Sequence, residues 1–175
     1  MKGITAVVCI ALSTFSAASS AAAPVLKVTR SITVDAPASA VWSKTKSFAG
    51  LNAWHPAVDT DRIVEGKDDQ VGAVRLLTLK GGGTIKEKLL AFSDSGRTFK
   101  YTILEGVLPV SAYTSAFTVK TIGKDKCEVI WSGEFKRKNT GENPGDNEND
   151  KTATDTVAGV YQSGLDNLKK IAENK

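Results

Sequence analysis

Histidine and cysteine are nearly absent: one His and two Cys among 175 residues. A zinc site needs several clustered His or Cys ligands, and a lone His55 with Cys127 far along the chain does not supply them. The same scarcity leaves no Ser/His/Asp set that can be assembled. Cys9 falls in an N-terminal leader, so the chain beyond the leader holds a single thiol and no internal disulfide, and the domain must be held by its core. Cys127 sits mid-strand among inward-facing residues and reads as a small core residue, not a nucleophile. The one run of glycines, "GGG" at 81–83, lies between two strand-like stretches with no helix after it, which makes it turn chemistry and not a phosphate loop. No cofactor is implied, and no metal. Charge of one sign is scarce as well. The formal net charge is +4, the basic residues are scattered apart from "KRK" at 136–138, and no aromatic–basic interleaving suggests nucleic acid.

Long apolar runs are missing too. The longest spans 3–15, after Lys2, and falls short of the roughly 20 residues a membrane-spanning helix needs. The small residues "SAASSAAAP" come next. A positive start, a short apolar centre and an A-x-A-like site read as a secretory signal over 1–23, cleaved after Ala22 or Ala23. This predicts a periplasmic or secreted protein with no membrane span once the leader is removed. Roughly 150 residues remain, enough for one domain (24–175) with a real core or a cavity.

What is present is β-alternation. Residues 25–35 place Leu26, Val28, Ile32 and Val34 on one side of a first strand. "DAPASAVWSKTKSF" comes after it, with Pro37 suited to a first helical position and Val41, Trp42 and Phe48 at helical spacing. A second short helix is predicted in "AGLNAWHPAV", ending at Pro56. From there the period is two: strands near 58–65, 71–79, 84–93, 97–105, 111–121 and 126–137, joined by hairpin-style turns and therefore antiparallel. A polar Gly/Pro loop at 139–150 leads to a helix over 151–172 with the apolar stripe Val157, Val160, Tyr161, Leu165, Leu168 and Ile171. The predicted architecture is α+β: a curved seven-stranded antiparallel sheet around a long C-terminal helix.

The inward face carries an anomaly. If Lys86 and Lys88 face water, then Ile85, Glu87, Leu89 and Ala91 face in, and the partner strand puts Ala73, Arg75, Leu77 and Leu79 on the same face. A turn at 80–82 sets Arg75 directly opposite Glu87; a turn at 81–83 makes them diagonal neighbours, still within pairing reach. Later strands add Phe99, Tyr101, Ile103, Tyr113, Ser115, Phe117, Cys127, Val129, Trp131 and Phe135. Burying charge is costly unless it is paired. A mostly apolar hollow with a few convergent polar groups is what a small-molecule pocket looks like; an ordinary ion pair at an open rim is the plainer reading of Arg75 and Glu87, as core packing is for the tyrosines, Trp131 and Tyr161. His55 in "WHP" reads as orienting a loop at the cavity mouth. The candidate ligand-binding set is Trp54, His55, Arg75, Leu77, Glu87, Leu89, Tyr101, Tyr113, Ser115, Trp131 and Tyr161.

With Trp42 on a helix before "WHP" (54–56), the segments "GAVRLLTL", "GGTIKEKLL", "YTILEGVLPVSAYTSAFTV", "WSGEF" and "YQSGLDNLK" resemble, in order and over nearly all of the chain after the leader, the polyketide cyclase/dehydrase branch of the START-like SRPBCC superfamily. The resemblance implies the helix-grip fold around a hydrophobic cavity. It implies binding of a hydrophobic molecule or, as an alternative, a cofactor-independent cyclase, dehydratase or isomerase in which Arg75 and Glu87 take part in proton transfer with Tyr113 or Tyr101 nearby. A looser likeness to a periplasmic subgroup associated with methanol oxidation implies a third role, as an accessory of a periplasmic methanol dehydrogenase system, contacted through the 139–150 loop or the lysine-bearing outer face. For the binding role, Arg75 is expected to pair with a polar or anionic group of the ligand.

Overall fold

In the computed structural model the described residues are 23–174; residues 1–22 of the leader, with Cys9, lie outside the described residues. The chain runs β1 (Leu26–Val34), α1 (Ala38–Thr45), a single 3-10 turn (Leu51–Ala53), β2 (Val58–Glu65), β3 (Val74–Leu79), β4 (Thr84–Ser93), β5 (Thr98–Gly106), β6 (Val110–Gly123), β7 (Lys126–Arg137) and α2 (Asp150–Glu173). All seven strands form one antiparallel sheet in the order β1-β7-β6-β5-β4-β3-β2. The meander from β2 to β7 needs only hairpins, and β1 joins the far edge. The sheet curls around α2, which packs across β1 and β7. This is the helix-grip arrangement.

The alternation read from the sequence is the alternation of burial except at the end of β4, where a register shift between Leu89 and Ala91 leaves Ala91, expected to face in, exposed and packs Phe92 against the core. Phe99, Tyr101, Tyr113, Ser115, Phe117, Cys127, Val129, Trp131 and Phe135 are all buried, while Lys100, Lys120 and Glu134 face out. On α2, Val157, Tyr161, Leu165 and Leu168 face the sheet. Fully burying a leucine such as Leu165 or Leu168 stabilises the fold by about 1.5–3 kcal/mol. The helix starts where Asn149 accepts a hydrogen bond from Thr152 N at 2.8 Å, with Asp150 in its first turn and Lys170 in its last, both favourable to the helix dipole. No helix among the described residues is long and apolar enough to cross a membrane.

The helical segment before β2 is shorter than predicted. α1 stops at Thr45, Pro37 stands one residue ahead of it, and the second helix is a single turn. Carboxylates from β2 and the loop after it explain this. Asp69 takes Phe48 N at 2.9 Å, Asp68 takes Ala49 N at 3.0 Å, and Asp61 takes Leu51 N at 3.0 Å. With acceptors supplied from outside, these amides do not continue the helical ladder.

The sheet also splits. β5 pairs with β6 only from Thr98–Thr102 against Thr118–Thr114. Beyond that point β6 bulges at Ala112, whose φ is 48°, and follows β7 while β5 stays with β4. The fork leaves an open cleft of about 570 Å³, with Leu108 and Tyr113 on its inner side.

Candidate functional site

The hairpin register is the direct one: Arg75 lies opposite Glu87. Both are buried, at 2% and 4% exposure, so the open-rim reading does not hold. Arg75 Nε donates to Glu87 Oε2 at 2.7 Å and Nη2 stands 2.6 Å from the same oxygen. On its other edge Nη1 donates to the Phe48 carbonyl at 2.5 Å and lies 3.4 Å from Asp61 Oδ2. The guanidinium carbon sits 4.2 Å from the Phe48 ring centre and 5.4 Å from that of Tyr101, within cation–π range. One cation thus faces two buried carboxylates.

Asp61 escaped the sequence reading. Its side chain is fully buried, and Oδ1 has no hydrogen-bond partner. Ile63, which pairs with Arg75 on β3, and Asp61, which pairs with Leu77, share the inward face, so two-residue spacing from Ile63 was the signal available. Burial raises the pKa of both carboxyls, against the pull of Arg75. Burial alone would lower that of Arg75, but Glu87 and then Asp61 outweigh it and raise it.

A second polar group runs through the sheet's centre. Tyr113 Oη and Tyr161 Oη are hydrogen-bonded at 2.5 Å, Tyr161 Oη and Ser115 Oγ at 2.9 Å, and Ser115 Oγ donates to the Ser132 carbonyl at 2.8 Å. Trp131 Nε1 donates to Tyr101 Oη at 3.0 Å and Ser115 Oγ at 3.1 Å. The Trp131 and Tyr161 rings stack, 4.6 Å apart and 11° from parallel. Burial, then the Glu87 charge, pushes the Tyr101 pKa up to about 12; burial also raises those of Tyr113 and Tyr161. His55 is buried, with Nε2 3.0 Å from the Val160 carbonyl and Nδ1 accepting from Ala57 N at 3.2 Å. A carbonyl can only accept, so Nε2 carries the proton and the neutral ring satisfies both bonds. Burial pushes its pKa down. Through these two bonds His55 ties the segment after "WHP" to α2.

Between these groups is a cavity of about 70 Å³, lined by Leu51, His55, Ala57, Val58, Leu77, Leu79, Ile85, Glu87, Tyr101, Leu108, Tyr113, Trp131, Val160 and Tyr161. Glu87 is the one charged side chain on that wall among the described residues. The cavity is much smaller than the ~300–1,000 Å³ of typical ligand pockets. The hollow expected from the sequence is largely filled by the aromatic side chains that line it.

The predicted set divides accordingly. His55, Leu77, Glu87, Tyr101, Tyr113, Trp131 and Tyr161 line the cavity. Trp54, Arg75, Leu89 and Ser115 do not. Trp54 packs on Phe117 and Trp131, and Leu89 is fully buried in the core. Ser115 sits behind Trp131 and Tyr161, bonded to both. Arg75 stands behind Glu87, its donors turned to protein acceptors. It holds the carboxylate and does not meet a ligand's anionic group. Sequence reasoning missed Leu51, Ala57, Val58, Leu79, Ile85, Leu108 and Val160 as wall residues. Among the described residues there is no group of three or more His, Cys, Asp or Glu able to hold a metal ion.

The sequence profile of the family described as polyketide cyclase/dehydrase and lipid transport matches residues 25–173. No curated protein matches the chain significantly. Among solved structures, the chain is similar to an uncharacterised protein from Bacillus thuringiensis at 29% identity and a TM-score of 0.74, covering 84% of this chain and 98% of that one. It is similar to XoxI from Bacillus cereus with the same identity and TM-score, covering 85% and 96%. The ZhuI aromatase/cyclase from Streptomyces sp. R1128 superposes with a TM-score of 0.67 over 86% of this chain and 94% of its own, at 18% identity, and shares the fold.

Proposed function

The chain belongs to the polyketide cyclase/dehydrase and lipid transport family, and from that premise we propose that it is an exported binding protein for a small hydrophobic molecule held between the sheet and α2. The observation that carries this reading is the cavity wall: apolar and aromatic side chains surrounding one carboxylate, Glu87, fixed from behind by Arg75. A core built for stability alone is served as well by aliphatic packing as by a buried ion pair. A ligand of a few heavy atoms fits the present volume; a larger one needs side chains such as Leu108 and Leu79 to turn away. Export rests on the leader at 1–23.

Trp131 and Tyr161 on the wall give a direct readout. Small apolar molecules titrated into the protein are expected to produce a saturable change in tryptophan fluorescence and a concentration-dependent rise in melting temperature. If a broad panel of them produces neither, the binding reading is wrong. The mass of the protein recovered from a periplasmic extract checks export, and recovery only of the uncleaved chain in the cytoplasm argues against it.

One observation favours a catalytic role as a second reading: burial raises the pKa of Glu87, against the pull of Arg75, at an apolar wall beside Tyr101, the kind of setting in which enzymes place a carboxyl that acts as general acid or base. The reaction would be a cyclisation, dehydration or isomerisation without cofactor. Glu87→Gln is then expected to abolish turnover while ligand binding survives; full activity in that variant removes the assignment.

A further inference from the structure

The chemistry of the ligand can be narrowed, given that the cavity is a binding site, by following each hydrogen in the central polar group. The Ser132 carbonyl only accepts, so the Ser115 hydroxyl hydrogen is used there. The indole N–H of Trp131 only donates. The contact between Ser115 and Tyr161 therefore has Tyr161 as donor, and the one between Tyr113 and Tyr161 has Tyr113 as donor. Every hydroxyl hydrogen in the run is engaged except that of Tyr101, which receives a bond from Trp131 and, with the Ser115 and Tyr113 hydroxyls close by, makes no hydrogen bond of proper length and angle to either. The carboxylate shows the converse. Both Arg75 contacts fall on Glu87 Oε2, and no protein donor among the described residues reaches Oε1.

One unused donor and one unused acceptor therefore face the same apolar space. They are not bonded to each other. Glu87 pairs with Ile103 and Leu89 with Tyr101 across β4 and β5, so Glu87 and Tyr101 are diagonal neighbours on one face, whose side chains converge without meeting head-on. A hydroxyl is the group that can accept from one and donate to the other. A carboxylate cannot, because the only charge on the wall among the described residues is Glu87, and Arg75 is engaged by Glu87, Asp61 and the Phe48 carbonyl.

We propose that the cavity selects a neutral apolar molecule bearing one hydroxyl, whose oxygen accepts a hydrogen bond from Tyr101 and whose hydrogen goes to Glu87 Oε1, and that it rejects the corresponding carboxylate. Tyr101 and Glu87 are then the specificity-determining pair, with Arg75 as the residue that positions Glu87.

Calorimetric titration of the purified protein with phenol, toluene and benzoate tests this, since the three probes share a ring and differ in the group it carries. Phenol is expected to bind at least about tenfold more tightly than toluene, as a hydrogen bond to a charged acceptor should give, and benzoate more weakly than both. Tyr101→Phe, which keeps the ring, is expected to reduce phenol affinity several-fold more than toluene affinity, so that the phenol preference shrinks. Equal affinity for phenol and toluene in the unmodified protein, or benzoate binding as tightly as phenol, overturns the hydroxyl assignment while leaving the binding function standing. Retention of the full phenol preference in a folded Tyr101→Phe protein overturns the role of Tyr101. If none of the three probes binds at millimolar concentration, the hydroxyl assignment fails, and the binding function fails with it when the broad panel of apolar molecules is silent as well.

Discussion

At the scale of single residues, the chemistry is set by what surrounds Arg75. Its guanidinium is shared between Glu87, Asp61 and the Phe48 carbonyl, so removing it leaves two buried carboxylates without their cation. Arg75→Met is expected to destabilise the protein by about 3–5 kcal/mol, the cost of stranding a buried charge, measured from urea unfolding midpoints. Glu87→Gln still leaves Asp61 for the arginine and should cost distinctly less. If both variants unfold at the same urea concentration, the buried cluster does not work this way. His55 gives a pH signature. Burial lowers its folded pKa below the unfolded value near 6.5, so between the two pKa values the unfolded chain holds the extra proton and unfolding takes one up. Its contribution to stability is complete above about pH 6.5 and is lost as the pH falls through the depressed folded pKa. Melting temperatures across this range should show that loss in the wild type, with a smaller acid-side slope in His55→Gln. An unchanged slope would assign it to other groups. The sequence showed Arg75 and Glu87 on one face, because alternation forces it. It did not show that the arginine's donors point away from the cavity, since χ angles and the Phe48 carbonyl belong to tertiary structure.

At the scale of elements, α2 is placed by two close approaches as well as by its apolar stripe. A Cβ on Gly164 would stand 2.6 Å from His55 Cδ2 and 3.0 Å from Trp131 Cζ3. In an open helix, glycine to alanine gains up to about 1 kcal/mol. Here the sign reverses, and Gly164→Ala is expected to cost about 1–3 kcal/mol by pushing the helix off the Trp131 ring; a rise in melting temperature would contradict the packing. Gly133 on β7 has the corresponding role, because a Cβ there would collide with the Tyr161 hydroxyl. The start of α2 is secured separately. Arg137 bonds Asp150 at 2.7 Å, the Asn139 carbonyl at 2.7 Å and the Gly141 carbonyl at 2.8 Å, closing the polar loop onto the helix N-terminus. Element order was legible in the sequence because period two and turn residues agree over long stretches, and the 74–90 hairpin was narrowed to two registers, of which the direct one holds; the shifts within β2–β3, β4–β5 and β6–β7 were not legible. The end of α1 was not, because the acceptors that draw its last amides away, Asp61, Asp68 and Asp69, are about twenty residues or fewer downstream but belong to a different strand and loop. Local pattern carries no trace of them.

At the scale of the whole molecule, the sheet is long enough to enclose a cavity, and its aromatic side chains then fill most of it. Alternation identified which residues point inward. It could not give the volume left between them, which depends on how Tyr161 stacks on Trp131 and how far β5 parts from β6. That parting places a second, open cleft beside the inner cavity, with Leu108 and Tyr113 common to both walls. Tyr113 is fixed by its bond to Tyr161, whereas Leu108 sits in the connection between β5 and β6 and is only partly buried. Truncating Leu108 therefore removes part of the wall shared by the two spaces and leaves the polar groups in place. In Leu108→Ala the inner cavity should join the cleft, and an apolar fluorescent probe should bind several-fold faster in stopped-flow experiments while the urea midpoint falls only modestly, because a half-buried leucine contributes less than a fully buried one. Unchanged association rates with a large loss of stability would mean that Leu108 is core packing and that ligands reach the cavity by another path.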